Sequence, residues 1–465
     1  MAGLNVARRK SSPTLRTAEG GLAVKSTKGQ ALARLVNACL LWEDNFYIDG
    51  QSVADLIAKL VHEVTPEVAQ TIAVKARTEQ KLRHVPLLVA REMARASVAH
   101  RLLVADTLEQ IIQRPDELSE FLAIYWKEGK QPLSAQVKKG LARAFTKFSA
   151  YNLAKYNRDA EIKLRDVAFL SHPAPKDKEQ AKTFAQLVNK DHFPKALKLG
   201  KFSKLETPDT WEVALSAGKD KKETFTRLIQ EEKLGALALL RNLRNMTQSG
   251  VDDDVIREAL VSANAEKVLP FRFIAAAKYG PQFESELEQS MFKCLKDHEK
   301  LEGETVLLVD VSGSMDAPIS AKSDLQRLDA AVGLAMLLRE ICEKVKVYSF
   351  SNKVAGVPPR RGFALAEAIK SSQPHMGTAL GEAVRAVASA ERNADRVIVI
   401  SDEQAADRVT NPFSRTGKKA YMVNVATNTY GVAYGDGWSR VDGWSESIVS
   451  YILAEENEDD LDDDE

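Results

Sequence analysis

Asp310, Ser312 and Ser314 stand at alternate positions of the run Asp310-Val311-Ser312-Gly313-Ser314, which offers one carboxylate and two hydroxyls to a single point. Oxygen donors alone suit a hard cation. Two further positions extend the set: Thr378, after Gly377, and Asp402, after Ser401. A magnesium ion takes octahedral oxygen ligands and keeps several waters, so a site with few carboxylates and some hydroxyls suits it better than the ligand-rich cage of calcium. By itself D-x-S-x-S also describes an Asx or Ser turn closing a strand. The conjunction with Thr378 and Asp402 favours the metal. The sequence holds no Walker A motif or dinucleotide glycine fingerprint, and no Ser/His/Asp arrangement stands out. His375 has no nucleophile in view and reads as a loop residue, so the expectation is a protein that is not an enzyme.

A second chemistry lies upstream. Residues 129–158 contain no acid but carry Lys130, Lys138, Lys139, Arg143, Lys147, Lys155 and Arg158, and residues 130–204 hold 17 basic against 6 acidic side chains. Lys139, Arg143 and Lys147 are four apart, on one face of a helix, with Leu141, Phe145 and Phe148 towards another. Such a stripe neutralises phosphates without reading bases. A solvated face is the alternative, though such faces normally alternate their charge signs. Tyr151 and Tyr156 either stack on bases or pack in a core. His172 either meets RNA or is buried against a backbone carbonyl.

The elements that must position these groups fall into two regions. The chain has 465 residues, enough for two to four domains, with 65 basic and 65 acidic side chains. That zero total excludes a wholly basic nucleic-acid coat, yet it divides into +10 over residues 1–300 and −10 over residues 301–465. Up to about residue 300 the apolar spacing is helical, as in Val53, Leu56, Ile57, Leu60 and Val61, with start signals at Ser52, Thr65-Pro66 and Asp209. Many helices with short links predict stacked helical hairpins, an all-α solenoid. After Gly303, apolar runs at 305–309, 345–350, 397–400 and 420–425 alternate with helical segments at 325–342, 364–370 and 378–391. That pattern predicts an α/β, doubly wound parallel sheet, whose ligands bind beyond the carboxyl ends of its strands. Asp310 and Asp402 fall at such ends.

The expected organisation is a flexible basic arm (1–20), a helical-repeat domain (21–300), an α/β domain (301–454) and an acidic disordered tail (455–465) in which nine of eleven residues are acids. Cys39, Cys294 and Cys342 are odd in number and too scattered for a disulfide framework, which points to a reducing cytoplasm. No apolar run approaches the roughly 20 residues of a membrane span.

The five oxygen-bearing residues resemble the metal-ion-dependent adhesion site of the von Willebrand factor A domain. Residues 77–86 (RTEQKLRHVP), 163–173 (KLRDVAFLSHP), 234–246 (LGALALLRNLRNM) and 269–273 (LPFRF) resemble the TROVE module. Together, over about residues 20–450, the chain resembles the Ro autoantigen family, in a bacterial or phage-borne member. The resemblance implies a HEAT-like helical ring closed by the A domain, binding small noncoding Y RNA on its outer surface and single-stranded ends of misfolded RNA in its hole. It also implies a monomeric, non-catalytic role in RNA quality control, with polynucleotide phosphorylase reached through the RNA. Lys155 and His172 match the family's RNA-contacting stretch, and Lys138 and Lys139 fall in its basic helix. Asp159, beside Arg158, departs from the family, which has a basic residue there. The competing reading is a protein-binding adaptor whose A-domain metal is completed by an acidic residue of a partner.

Overall fold

Several helices begin where a side chain satisfies an exposed backbone amide. Thr65 caps α3 (Pro66–Thr78) by accepting from Val68 N, with Pro66 at the first turn. Before it lie α1 (Lys28–Ala38) and α2 (Gly50–Glu63), and Ser52 falls inside α2 rather than at its start. There follow α4 (His84–Arg95), α5 (Val98–Ile111), α6 (Pro115–Tyr125), α7 (Ala135–Phe145), α8 (Ala150–Tyr156), α9 (Leu164–Ser171) and α10 (Lys178–Val188). The series continues with α11 (Trp211–Ser216), α12 (Lys221–Gln230), α13 (Ala236–Gln248), α14 (Asp253–Ser262), α15 (Pro270–Tyr279) and α16 (Glu284–Leu295). Thr210, not Asp209, caps α11; the Asp209 carboxylate instead binds Arg227 and Lys233.

This computed structural model describes residues 16–17, 20, 27–38, 50–80, 82–157, 160–188, 205, 208–265, 268, 270–296, 300–319, 325–414, 416–426, 431–433, 437–443, 448, 452 and 456. Among these residues, no helix is long and apolar enough to cross a membrane. Cys294 and Cys342 are buried thiols, and Cys39 lies outside the described residues.

Small residues let neighbouring helices close on one another. Ala69, Ala73 and Ala76 are buried along α3. In α7, a Cβ at Gly140 would come within 2.8 Å of Leu108 Cβ and 3.0 Å of the Ala105 backbone, so only glycine lets α7 cross α5 this closely. A glycine inside a helix costs about 1 kcal/mol, which the packing must offset. The arginines of the segment 77–86 act as internal ties. Arg77 binds Glu117 at 2.7 Å and the Ile111 carbonyl at 3.0 Å, while Arg83 binds Asp116 and Glu120, joining α3 and the start of α4 to α6.

After the helices comes a six-stranded sheet: β1 (Leu301–Asp310), β2 (Cys342–Phe350), β3 (Val354–Val357), β4 (Arg396–Ser401), β5 (Lys419–Asn424) and β6 (Ser439–Asp442). The strand order is β3-β2-β1-β4-β5-β6. The sheet is mixed rather than wholly parallel, because β3 runs antiparallel to β2 at the edge. β3 and β6 are each four residues long and lack the continuous apolar run that marks the central strands, which explains their absence from the sequence reading. By contrast β4 is buried along its whole length, as expected of a central strand covered on both faces. The covering helices are α17 (Arg327–Ile341), α18 (Gly362–Lys370) and α19 (Leu380–Ala390).

The cores do not follow the division at residue 300. One apolar core runs from α1 to α10, a second runs continuously from α12 through α16 onto one face of the sheet, and a third lies on the sheet's other face. Both ends of the helical series rest on the α/β domain. At one end Lys278 of α15 pairs with buried Asp329 of α17, which also binds Lys370, and Phe363 N of α18 donates to Glu288 of α16. At the other end α1 meets β6, and buried Arg34 of α1 faces the buried Glu403 carboxylate at 3.7 Å. The helices thus form a ring that the α/β domain closes.

Two segments expected to be free are docked in part. Thr17, within the basic arm, is buried and donates its hydroxyl to the Ala405 carbonyl at 2.7 Å. Glu456, at the start of the acidic tail, accepts from Arg396 Nε at 2.8 Å and from the Tyr421 hydroxyl at 3.1 Å. Residues 1–15 and 457–465 lie outside the described residues.

Candidate metal centre and nucleic-acid interface

The strand order reverses between β1 and β4, and beyond their carboxyl ends a crevice opens in such sheets. Because Val309 pairs with Ile400, the next residues on each strand, Asp310 and Ser401, come side by side. Asp310 Oδ2 accepts from Ser401 Oγ at 2.6 Å, and its Oδ1 accepts from Ser312 N at 2.8 Å. Ser312 Oγ lies 3.3 Å from Ser314 Oγ, at the start of a 3-10 turn (Gly313–Asp316). Asp402 Oδ1 accepts from Gln404 N at 3.2 Å, and Arg327 Nη1 reaches Asp402 Oδ2 and the Ser314 carbonyl, each at 3.3 Å.

Thr378 is two residues ahead of α19 rather than at its opening turn, and the end of β2 sets its position. Ser351 Oγ donates to the Gly377 carbonyl and accepts from Met376 N, while Gly313 N donates to the Met376 carbonyl at 2.8 Å. A Cβ at Gly377 would lie 2.6 Å from Oδ1 of the exposed Asn352, whose side chain would have to swing aside. His375 pins the same loop: its Nδ1 is 2.8 Å from Asp316 Oδ1 and its Nε2 is 2.9 Å from the Lys370 carbonyl.

All five sequence-derived residues therefore lie on three loops at one edge of the sheet, with Asp310, Ser312, Thr378 and Asp402 buried. Burial, and next the charge of Asp402, push the Asp310 carboxyl up to about 7; the hydrogen bonds from Ser312 and Ser401 pull the other way without cancelling this. Two carboxylates that repel in a buried site lined by hydroxyls form a donor set suited to a hard divalent cation. Among the described residues no cluster of three or more His, Cys, Asp or Glu could hold a metal, so any cation here would depend on the serine and threonine hydroxyls. Two contributors escaped the sequence reading: Ser401, which donates to Asp310, and Arg327, which reaches Asp402. Ser401 was open to discovery by aligning the strand ends, whereas nothing in the local sequence ties Arg327 to Asp402.

The basic residues separate into two groups. Lys138 and Lys139 are exposed, directly ahead of the Gly140 face that packs on α5. Arg143 instead turns to α5, binding Asp106 and, at 3.4 Å, Glu109. Lys147 lies beyond the last residue of α7 and donates to the Ile112 and Glu109 carbonyls at the end of α5; the desolvation this imposes lowers its pKa. The three apolar partners Leu141, Phe145 and Phe148 are buried. Lys155 is 3.7 Å from Glu212 of α11, with its ammonium 5.7 Å from the centre of the Tyr156 ring. His172 is exposed and left-handed (φ 51°), ending α9, so it is not the interior histidine that one reading allowed. Arg158 lies outside the described residues.

Residues 192–329 match the family model of the TROVE domain, and residues 305–404 match that of the von Willebrand factor type A domain. The second span includes every one of the five oxygen-bearing residues; the basic segment precedes both spans. Over 111 residues the chain is 31% identical to the telomerase protein component 1 of Mus musculus and 30% identical to that of Rattus norvegicus. Each of those matches covers 22% of this chain and only 4% of the relative's length. The crystal structure of the Ro (RSR) protein of Deinococcus radiodurans superposes with a TM-score of 0.61 at 17% identity, covering 90% of this chain and 97% of that one. The chain thus joins a TROVE domain to a von Willebrand factor type A domain, in the fold of the Ro protein.

Proposed function

We propose that this chain is an RNA-binding scaffold of the Ro type. The observation that carries the reading is the exposed pair Lys138 and Lys139, which with Lys155 lies in the acid-free stretch 129–158, followed by the exposed His172 at the end of α9, in a chain that shares the Ro fold. In this reading a small structured RNA of the Y type lies along α7 to α9 and single-stranded ends of misfolded RNA enter the ring. The protein holds RNA rather than cleaving it, and polynucleotide phosphorylase is the exonuclease class that such a particle would serve in the cytoplasm.

The phosphate contacts have a measurable signature. Each lysine that neutralises a phosphate releases a condensed counterion, so the Lys138→Ala, Lys139→Ala double variant should flatten the slope of log affinity against log salt by roughly 1.4 for single-stranded RNA. Arg143→Ala should change that slope much less, because Arg143 already faces Asp106 and Glu109. An unchanged slope in the lysine double variant, with normal thermal unfolding, would leave those lysines as a solvated face.

Asp310, Ser312, Ser314, Thr378 and Asp402 would hold a divalent cation, most suitably Mg²⁺, which when bound supplies an electrophilic point for an acidic ligand. One observation favours a protein-binding role for this edge alongside the RNA reading: Met376, next to the Thr378 loop, is an exposed apolar side chain. Asp310→Ala is expected to remove Mn²⁺ or Mg²⁺ binding in calorimetry while RNA affinity stays within about twofold, since the lysines are on the other domain. Loss of RNA binding in a folded Asp310→Ala protein would contradict that separation.

A further inference from the structure

A cleft of about 700 Å³ opens between α6 and α8 on one side and α11 to α13 on the other. Its volume lies in the range that encloses small ligands. Tyr151, Tyr156 and Trp211 line it together with Leu237. Tyr151 is 58% exposed and Leu237 45%, a large apolar surface for two neighbouring side chains to leave in water. Its charged residues are mostly spoken for. Lys155 faces Glu212, Lys233 binds Asp209, and Arg114 binds Asp116 while lying 4.9 Å over the Tyr156 ring. Arg241 differs: among the described residues it has no hydrogen-bond or ion-pair partner. Its charge neighbour is another cation, Arg272 of α15, whose pKa is lowered by burial and then by Arg241. Aromatic rings beside an arginine without a counterion suit a ligand with a flat face and an anionic group.

We propose that this cleft takes one unstacked nucleotide of the bound RNA, its base against Tyr151, Trp211 and Leu237 and its phosphate on Arg241. The proposal rests on the RNA reading above and adds to it a site for an unpaired base. RNA is favoured over a protein segment because α8, which supplies Tyr151 and Lys155, ends the stretch from residue 129 that contains no acid. Base–aromatic stacking also tolerates any sequence, since every base has a π-face. The lysines of α7 would then hold the phosphate backbone, while the cleft would require that the RNA offer an unpaired nucleotide.

The test uses the full chain, a 12-residue oligouridylate bearing one 4-thiouridine, and a blunt RNA duplex of similar charge. The expected crosslink falls on the peptide containing Tyr151 or on the one containing Trp211. Tyr151→Ala should weaken oligouridylate binding about tenfold without changing its salt slope, and should leave duplex binding unchanged. Arg241→Ala should flatten the oligouridylate slope by about 0.7. Both side chains are exposed, and thermal unfolding of each variant verifies that the fold persists. Equal losses for the oligomer and the duplex would overturn the proposal. So would wild-type affinity for the oligomer in both variants, which would leave the cleft to a protein partner while the lysines still answered for RNA binding. A wild-type chain that binds neither RNA would sink the scaffold reading itself, and the cleft with it.

Discussion

Between pH 5 and pH 8 the metal-free protein should lose about 3 kcal/mol of stability relative to an Asp310→Asn variant. The cause is the carboxyl that burial and Asp402 push up to about 7, against an ordinary value of 3.8. Between those two values the folded protein holds a proton that the unfolded chain has released. Raising the pH therefore favours the unfolded chain until Asp310 ionises in the fold, and the loss levels off above pH 7. Asparagine keeps the shape but has no proton to release, so the wild-type minus variant difference in urea unfolding reports the titration that the Asp310 carboxyl brings to this site. Mg²⁺ should reverse the loss, because a cation favours the ionised pair; its stabilisation should be large at pH 8, small at pH 5 and absent in the variant. A wild-type minus variant difference that stays flat from pH 5 to pH 8 would contradict the account.

The second large effect is expected at the seam between α1 and the α/β domain. Glu403 follows Asp402 of the candidate metal centre, is fully buried, and has a left-handed backbone (φ 59°) that a glutamate rarely adopts. Its carboxylate is 2.6 Å from Arg440 and 3.7 Å from Arg34, and accepts from Val432 N at 2.9 Å. Glu403→Ala would leave two buried guanidiniums without this carboxylate, a change that typically costs 3–5 kcal/mol, about the cost of losing one member of a buried ion pair. Arg34→Ala should cost less overall, since Glu403 keeps Arg440, but should free α1 from the domain. Limited proteolysis across residues 28–38 and an increased radius of gyration in X-ray scattering would report the opened ring. Gly431 provides a control with all charges intact, because a Cβ there would collide with both the Arg34 guanidinium and the Glu403 carboxylate. Strictly additive losses in the Arg34→Ala, Glu403→Ala double variant would show that the two side chains do not act as a pair.

The alternation of donors in Asp310-Val311-Ser312-Gly313-Ser314 is a local property, as are the helical spacing before residue 300 and the apolar runs after Gly303, and each translates directly into structure. A strand places alternate side chains on one side, and an apolar run buried on both faces has no other stable arrangement. The edge strands β3 and β6 were not legible, because four half-covered residues carry no periodic signal. The start of α11 was misplaced by one residue for a related reason: Asp209 and Thr210 are both good caps, and the choice between them rests on Arg227 and Lys233, 18 and 24 positions after Asp209.

By itself, then, the sequence determined the two architectures, the five oxygen-bearing residues that come together beyond the strand ends, and the acid-free stretch that bears the lysines. Tertiary structure decided which of those charges are available. Lys138 and Lys139 face water, whereas Arg143 and Lys147 are drawn onto α5 by the crossing at Gly140. It also decided that Ser401 and Arg327 attend the two aspartates, that Glu403 closes the ring through Arg34, and that Tyr151 and Arg241 line one cleft although ninety residues separate them. The physical reason is range: periodicity and capping act over a turn or a strand, but desolvation and ion pairing depend on what the rest of the chain brings within a few ångströms.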